Sequence, residues 1–333
     1  MADPEPLGLT RRTVLTGAAA LLAAGTAGIT TQRPAHAADL PQIRAAAAGW
    51  TGRNGELLVL TADPATESDC TLRLLTAAES PARSQLSTAP GIAAELGPPL
   101  PLPLPADFHP RSMAARGATL WITGALEIAP DRARPALVRI EDATASYVDL
   151  PVPKAIRSGI ATAISPHGDN GIAVVIEGCP DPHLAVITRS HLALSDDNGR
   201  TWTGRPIASG LVEGYGTVLT ETDQGLFLAV AGEGTQTIHT TSTISASARR
   251  TVLTRATSRP FTGRPMAAVA TADHVSIFTD HEGAVRESRF TLKGQPLESS
   301  PDCACQGEIL AVPGRRGTWL ETDGNTIYIR GTD

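Results

Sequence analysis

The chain has 333 residues, 28 basic and 34 acidic side chains, and a formal net charge of −6 at pH 7. An acidic balance disfavours nucleic acid or an anionic membrane surface as a partner. With 31 glycines, 26 prolines and Val, Ile and Thr in short runs, the composition points to many short strands joined by turns, not to a helical protein.

The first 37 residues read as a targeting segment and are set apart from the fold. Thr10-Arg11-Arg12-Thr13-Val14-Leu15 is followed by an apolar stretch from Val14 to Ile29, and Ala35-His36-Ala37 offers a small-x-small cleavage site. The stretch is too short and too rich in Ala and Gly for a membrane anchor. The segment resembles a twin-arginine export signal. That resemblance implies passage through the twin-arginine translocase, a mature chain starting at Ala38, and a secreted or cell-envelope location.

From there a repeat of paired apolar strands runs along the chain. The predicted pairs are 44–49 with 56–61, 112–116 with 119–123, 159–165 with 171–176, 216–221 with 225–230, 266–271 with 275–279, and 309–312 with 318–320. First members are often built of small residues, as in Arg44-Ala45-Ala46-Ala47-Ala48-Gly49. Second members are larger, as in Leu57-Leu58-Val59-Leu60. Small side chains suit strands crowded around a central channel, and large ones fill the space between neighbouring sheets. The Pro-Leu alternation at 98–105 is expected to be an extended, stiff spacer or rim.

Residues 195–202 read Ser-Asp-Asp-Asn-Gly-Arg-Thr-Trp. Asp197 is placed to accept hydrogen bonds from the backbone of a tight turn, and Gly199 supplies a position with φ > 0. Ser195, Asp197, Gly199 and Trp202 match the S-x-D-x-G-x-T-W pattern, so the octet resembles the Asp-box (BNR repeat) of sialidases and other β-propellers. Residues 140–147 are a degenerate copy that keeps Asp142 and Tyr147. The resemblance and the repeat together predict an all-β fold: residues 38–333 as one six-bladed, sialidase-like β-propeller, with the box on the face opposite the active one.

On the other face lie the candidate functional residues. Arg111, Arg157 and Arg264 precede predicted inner strands. They could clamp an anionic group bidentately, or bridge blades as salt bridges; the first arrangement resembles the arginine triad of sialidases. Glu213 and Tyr215 share a face if that stretch is extended. The resemblance then implies a Tyr215 nucleophile activated by Glu213. Glu67 and Asp69, Asp181 and His183, and Asp280-His281-Glu282 are acids and histidines in loops, each a candidate general acid or a solvated turn.

Cys70, Cys179, Cys303 and Cys305 all fall in loops of the same face, where export permits disulfides between loops. No C-x-x-C spacing occurs, so no metal is expected, and no cofactor motif is present. The Phe/Tyr-Arg-Ile-Pro signature of sialidases is absent at the first blade, where Gln42-Ile43-Arg44-Ala45 stands. Two functions fit: a monomeric module that binds an extracytoplasmic protein or glycan, or a sialidase-like glycoside hydrolase acting on sialylated glycans.

Overall fold

The computed structural model describes residues 41–50, 57–62, 70–77, 91–129, 132–182, 186–243, 251–258, 261–297, 307–323 and 326–331. The predicted export signal, Glu67, Asp69, His183, Cys303 and Cys305 lie outside the described residues.

The described chain is built of antiparallel strands. In chain order they are β1 (Gln42–Ala48), β2 (Leu57–Ala62), β3 (Cys70–Ala77) and β4 (Gly91–Leu100); then β5 (Phe108–Arg116), β6 (Thr119–Ala129), β7 (Arg132–Glu141) and β8 (Thr144–Val148). A third group holds β9 (Ser158–His167), β10 (Gly171–Cys179), β11 (Arg189–Ser195) and β12 (Thr203–Ser209); a fourth holds β13 (Gly214–Thr222), β14 (Gly225–Gly232), β15 (Thr235–Thr243) and β16 (Thr251–Ser258). The last are β17 (Arg264–Ala270), β18 (His274–His281) and β19 (Ala284–Thr291), then β20 (Glu308–Ala311), β21 (Thr318–Asp323) and β22 (Thr326–Gly331). Each predicted strand pair is present: β1–β2, β5–β6, β9–β10, β13–β14, β17–β18 and β20–β21.

The first strands of these groups touch in a closed cycle: β1 with β5, β5 with β9, β9 with β13, β13 with β17, β17 with β20, and β20 with β1. The arrangement is a β-propeller. Its core is divided accordingly. Each hydrophobic cluster straddles two consecutive groups, and the last joins β20–β22 back to β1–β3. Strand periodicity explains the division. Leu58 and Leu60 of β2 pack towards β5–β7, whereas Leu57 and Val59 pack towards β21 and β22. Second strands are therefore apolar on both faces and read as continuous hydrophobic runs.

Closure of the ring uses β4. Its residues 94–100 pair with β3, and 91–94 pair with β22, so one strand serves both ends of the chain. The Pro-Leu run thus differs from the expected free spacer. Pro98 and Pro99 sit in β4, and Leu100, Leu102 and Leu104 pack on the core between the first two groups. Prolines are tolerated there because only part of the strand donates to a neighbour.

The far end of the channel is tied by its hairpin turns. Ala48 N–H donates to Pro313, Gly117 N–H to Gly49, and Gly317 N–H to Ala270. Arg116 donates to the Gly168 carbonyl, and Gly168 N–H to Glu221. The 195–202 turn lies at this end, because Ser195 pairs with Ile172 beside the β9–β10 hairpin. Asp197 Oδ1 accepts from Arg200 and Thr201 N–H and from the Ser195 hydroxyl, and Oδ2 accepts from the Thr201 hydroxyl at 2.6 Å. Gly199 has φ +83°, and Trp202 Nε1 donates to its carbonyl. The 140–147 stretch differs: Asp142 and Ala143, both with φ > 0, form a two-residue hairpin between β7 and β8. Such a turn has no room for a box.

Candidate functional site

The opposite end of the channel is the mouth, where the first strands begin. Here the register shows a feature that periodicity does not announce. Five first strands carry a one-residue irregularity against their partners. The extra residues are Arg44 in β1, Arg111 in β5, Thr162 in β9, Tyr215 in β13 and Met266 in β17. A bulge leaves one residue unpaired and re-aims its side chain, and bulges collect next to functional sites. Five strands thus present one such residue each around one opening.

Three arginines converge there. Burial, then the charges of Arg264 and Arg44, lower the Arg111 guanidinium to about 10, with Glu308 and Glu177 opposing. Arg264, the first residue of β17, is lowered by burial against the pull of Asp280 and Glu308. Glu308, the first residue of β20, is raised by burial, although Arg44, Arg111, a hydrogen bond with Gln42 and Arg264 favour its ionised form. Guanidinium groups brought together away from water repel one another, and the carboxyls of Glu308, Glu177 and Asp280 oppose that repulsion. An anion seated between the arginines relieves that repulsion and offers bidentate acceptors.

Glu177, near the end of β10, is fully buried. Its Oε1 accepts from the Thr217 hydroxyl at 2.5 Å, and Thr217 lies 3.0 Å from the Ser190 hydroxyl. Burial raises its carboxyl against the hydrogen bonds of Thr217, Thr162 and Ser190. The Thr162 hydroxyl is near enough to act on that charge, yet Thr162 Oγ1 and Glu177 Oε2 lack a well-formed hydrogen bond. Glu177 thereby links β10 to β13, and its charge acts on Arg111.

Of the residues expected at the mouth, Arg111 and Arg264 come together. Arg157 is exposed before β9, where its N–H donates to the Cys179 carbonyl, and the third arginine acting on Arg111 and Glu308 is Arg44. Glu213 is exposed and left-handed, with φ +43°. Strand alternation therefore does not run through it, and the geometry that would put it on one face with Tyr215 is missing. Tyr215 is itself the bulged residue of β13 and is 37% exposed. Cys179 is buried, its thiol 3.1 Å from the Asp181 carbonyl and raised by burial, and Cys70 opens β3. Asp280 Oδ1 accepts from Gly283 N–H within its own turn. Sequence reasoning missed Arg44 and Glu177. Glu177 had a signal, a lone acid closing the apolar run Ile172-Ala173-Val174-Val175-Ile176.

No family model matches the chain, and no curated protein matches it in sequence. Solved structures do match. A glucose dehydrogenase superposes with a TM-score of 0.54 at 11% identity, covering 89% of this chain and 97% of that one. A luciferin-regenerating enzyme gives 0.51 at 9% identity, over 88% and 93% of the two chains. A sialidase from Trypanosoma rangeli gives 0.48 at 12% identity, over 87% of this chain and 55% of that one. Likeness at such identities shows the fold alone.

Proposed function

We propose that this chain is an exported, six-bladed Asp-box propeller that binds an anionic group of an extracytoplasmic glycan or protein at the mouth of its channel. The blade count rests on the closed cycle of first strands and on the cores between consecutive groups. Export rests on the Arg11-Arg12 segment and the cleavage site at Ala37. The observation that carries the binding reading is the placement of Arg44 and Arg111, each the bulged residue of its first strand, with Arg264 at the start of β17 around one mouth, close enough that the charges of Arg264 and Arg44 add to burial in lowering Arg111. Arg157 has a different role in this reading, at the rim.

The test is a titration of the purified mature protein with inorganic phosphate and acetate, followed by NMR. Wild type should show saturable shifts that weaken as salt rises. Arg44→Ala and Arg111→Ala should each abolish saturation while the protein stays folded. Binding that survives both substitutions removes the mouth as the site.

The hydrolase alternative keeps Tyr215 as nucleophile, supported by its bulged, exposed position at the mouth. Its base is then not held by strand alternation at Glu213. A fluorogenic sialoside decides between the two functions. No turnover between about pH 4 and 8 leaves the binding reading. Turnover lost in Tyr215→Phe establishes the hydrolase, and turnover retained there establishes a hydrolase with another nucleophile.

A further inference from the structure

The mouth is chemically two-sided, and the second side is apolar. Tyr215 is 37% exposed, Val212 60% and Val186 37%. Their loops are joined through the backbone. Leu211 N–H donates to Thr188, Gly214 N–H to Ile187, and Glu233 N–H to Val212. The three residues thus belong to one hydrogen-bonded rim, formed by the segment that leads into β11 and the approach to β13. Exposed apolar groups gathered at a binding mouth mark a contact surface, whereas scattered ones need no explanation.

The rim adjoins the arginines by two independent links. Tyr215 is the bulged residue of its strand, as Arg44 and Arg111 are of theirs, so the same device re-aims all three around one opening. The residue after Tyr215, Gly216, has φ +108° and faces Glu177, whose charge in turn acts on Arg111. Met266, half-buried, is the bulged residue of β17, two positions beyond Arg264. An apolar side chain therefore accompanies the charged one there as well.

We propose that the preferred ligand of the mouth is an organic acid with an apolar body: its acid group lies among Arg44, Arg111 and Arg264, and its body lies on Tyr215, Val212 and Val186. This rests on the anion-binding reading above. The charge on the far wall argues for the acid group, and the rim argues against a densely hydroxylated body. Tyr215 supplies a flat ring face with a polar tip, and the two valines have no group to bond a hydroxyl.

Three ligands separate the ideas: acetate, cyclohexanecarboxylate and glucuronate. They share a carboxylate and differ in whether a ring is present and hydroxylated. Wild type should bind cyclohexanecarboxylate about ten-fold more tightly than either of the others, the gain from covering roughly two methylenes. Val212→Ser combined with Val186→Ser should erase that preference and leave acetate unchanged; both residues are exposed in loops, so folding is not at stake. Equal or tighter binding of glucuronate overturns the inference, as does a preference that survives the double substitution, and in both cases the arginine site stands. Absence of binding by all three acids overturns the arginine reading and this inference with it.

Discussion

Replacing Glu321 by Gln should weaken the closure of the ring. Arg330 is completely buried, and its Nε donates to Glu321 Oε2 at 2.8 Å. The guanidinium also stands over the Tyr328 ring, 5.1 Å from its centre. Arg330 pairs with Gly91 across the β22–β4 junction, and a Cβ at Gly91 would collide with the guanidinium. The ion pair therefore sits where the two ends of the ring meet. Gln keeps the shape and an acceptor oxygen but takes away the counter-charge. Removing one partner of a buried pair costs about 3 kcal/mol at the lower end of the usual range. For a domain of this size that is a fall in Tm of about 5 °C. Thermal unfolding of the protein, followed by circular dichroism, reads it directly. Replacing both partners, Glu321→Leu with Arg330→Met, should recover most of the loss, because no charge then stays buried. A single-variant change under about 1 kcal/mol, or a double variant as damaged as the single, would refute the reasoning.

Asp197→Ala should lower Tm by removing the acceptor of the 195–202 turn, while acetate binding per folded molecule stays unchanged; lost binding at unchanged Tm would place this turn in the site instead. The Asp197 carboxyl is held at about 2, so its contribution is present above the usual value of 3.8 and is lost as pH falls through about 2. Glu177 and Glu308 have the opposite sign. Their folded values are raised, so the stability they contribute is full below 4.5 and is lost as pH rises through the raised values. Ionisation also adds negative charge at the mouth, so anion affinity should fall as pH rises through the same window; a titration at several pH values with methanesulfonate, which stays ionised throughout, checks this, and Glu308→Gln should flatten the profile. Replacing Arg11 and Arg12 by Lys should leave precursor in the cytoplasm on fractionation, and continued export of that variant would exclude the twin-arginine route.

The strand pairs were legible because a strand between two neighbours buries both faces. Leu57-Leu58-Val59-Leu60 and Ile172-Ala173-Val174-Val175-Ile176 cannot be read otherwise once turn residues bound them. Asp197, Gly199 and Trp202 were legible as a turn because all their bonds are local. Arg111 and Arg264 were found because each stands near the start of a strand aimed at the channel. Arg44 was visible only as a residue out of place in a signature. The role of Glu213 was inferred from an alternation that its left-handed backbone interrupts.

What the sequence by itself determined, then, is the periodic part: alternating burial, small residues in crowded first strands, and turns closed by their own side chains. These are consequences of contacts between residues near one another in the chain. The tertiary structure alone decided the rest. Bulges depend on the register between two strands, so no single strand records that Arg44, Arg111 and Tyr215 are the re-aimed residues. The pairing of β4 with both β3 and β22 joins segments more than two hundred residues apart in the chain, which local pattern cannot encode. The depression of Arg111 arises from burial and then from charges on β17 and β1, all brought to it only when the ring closes.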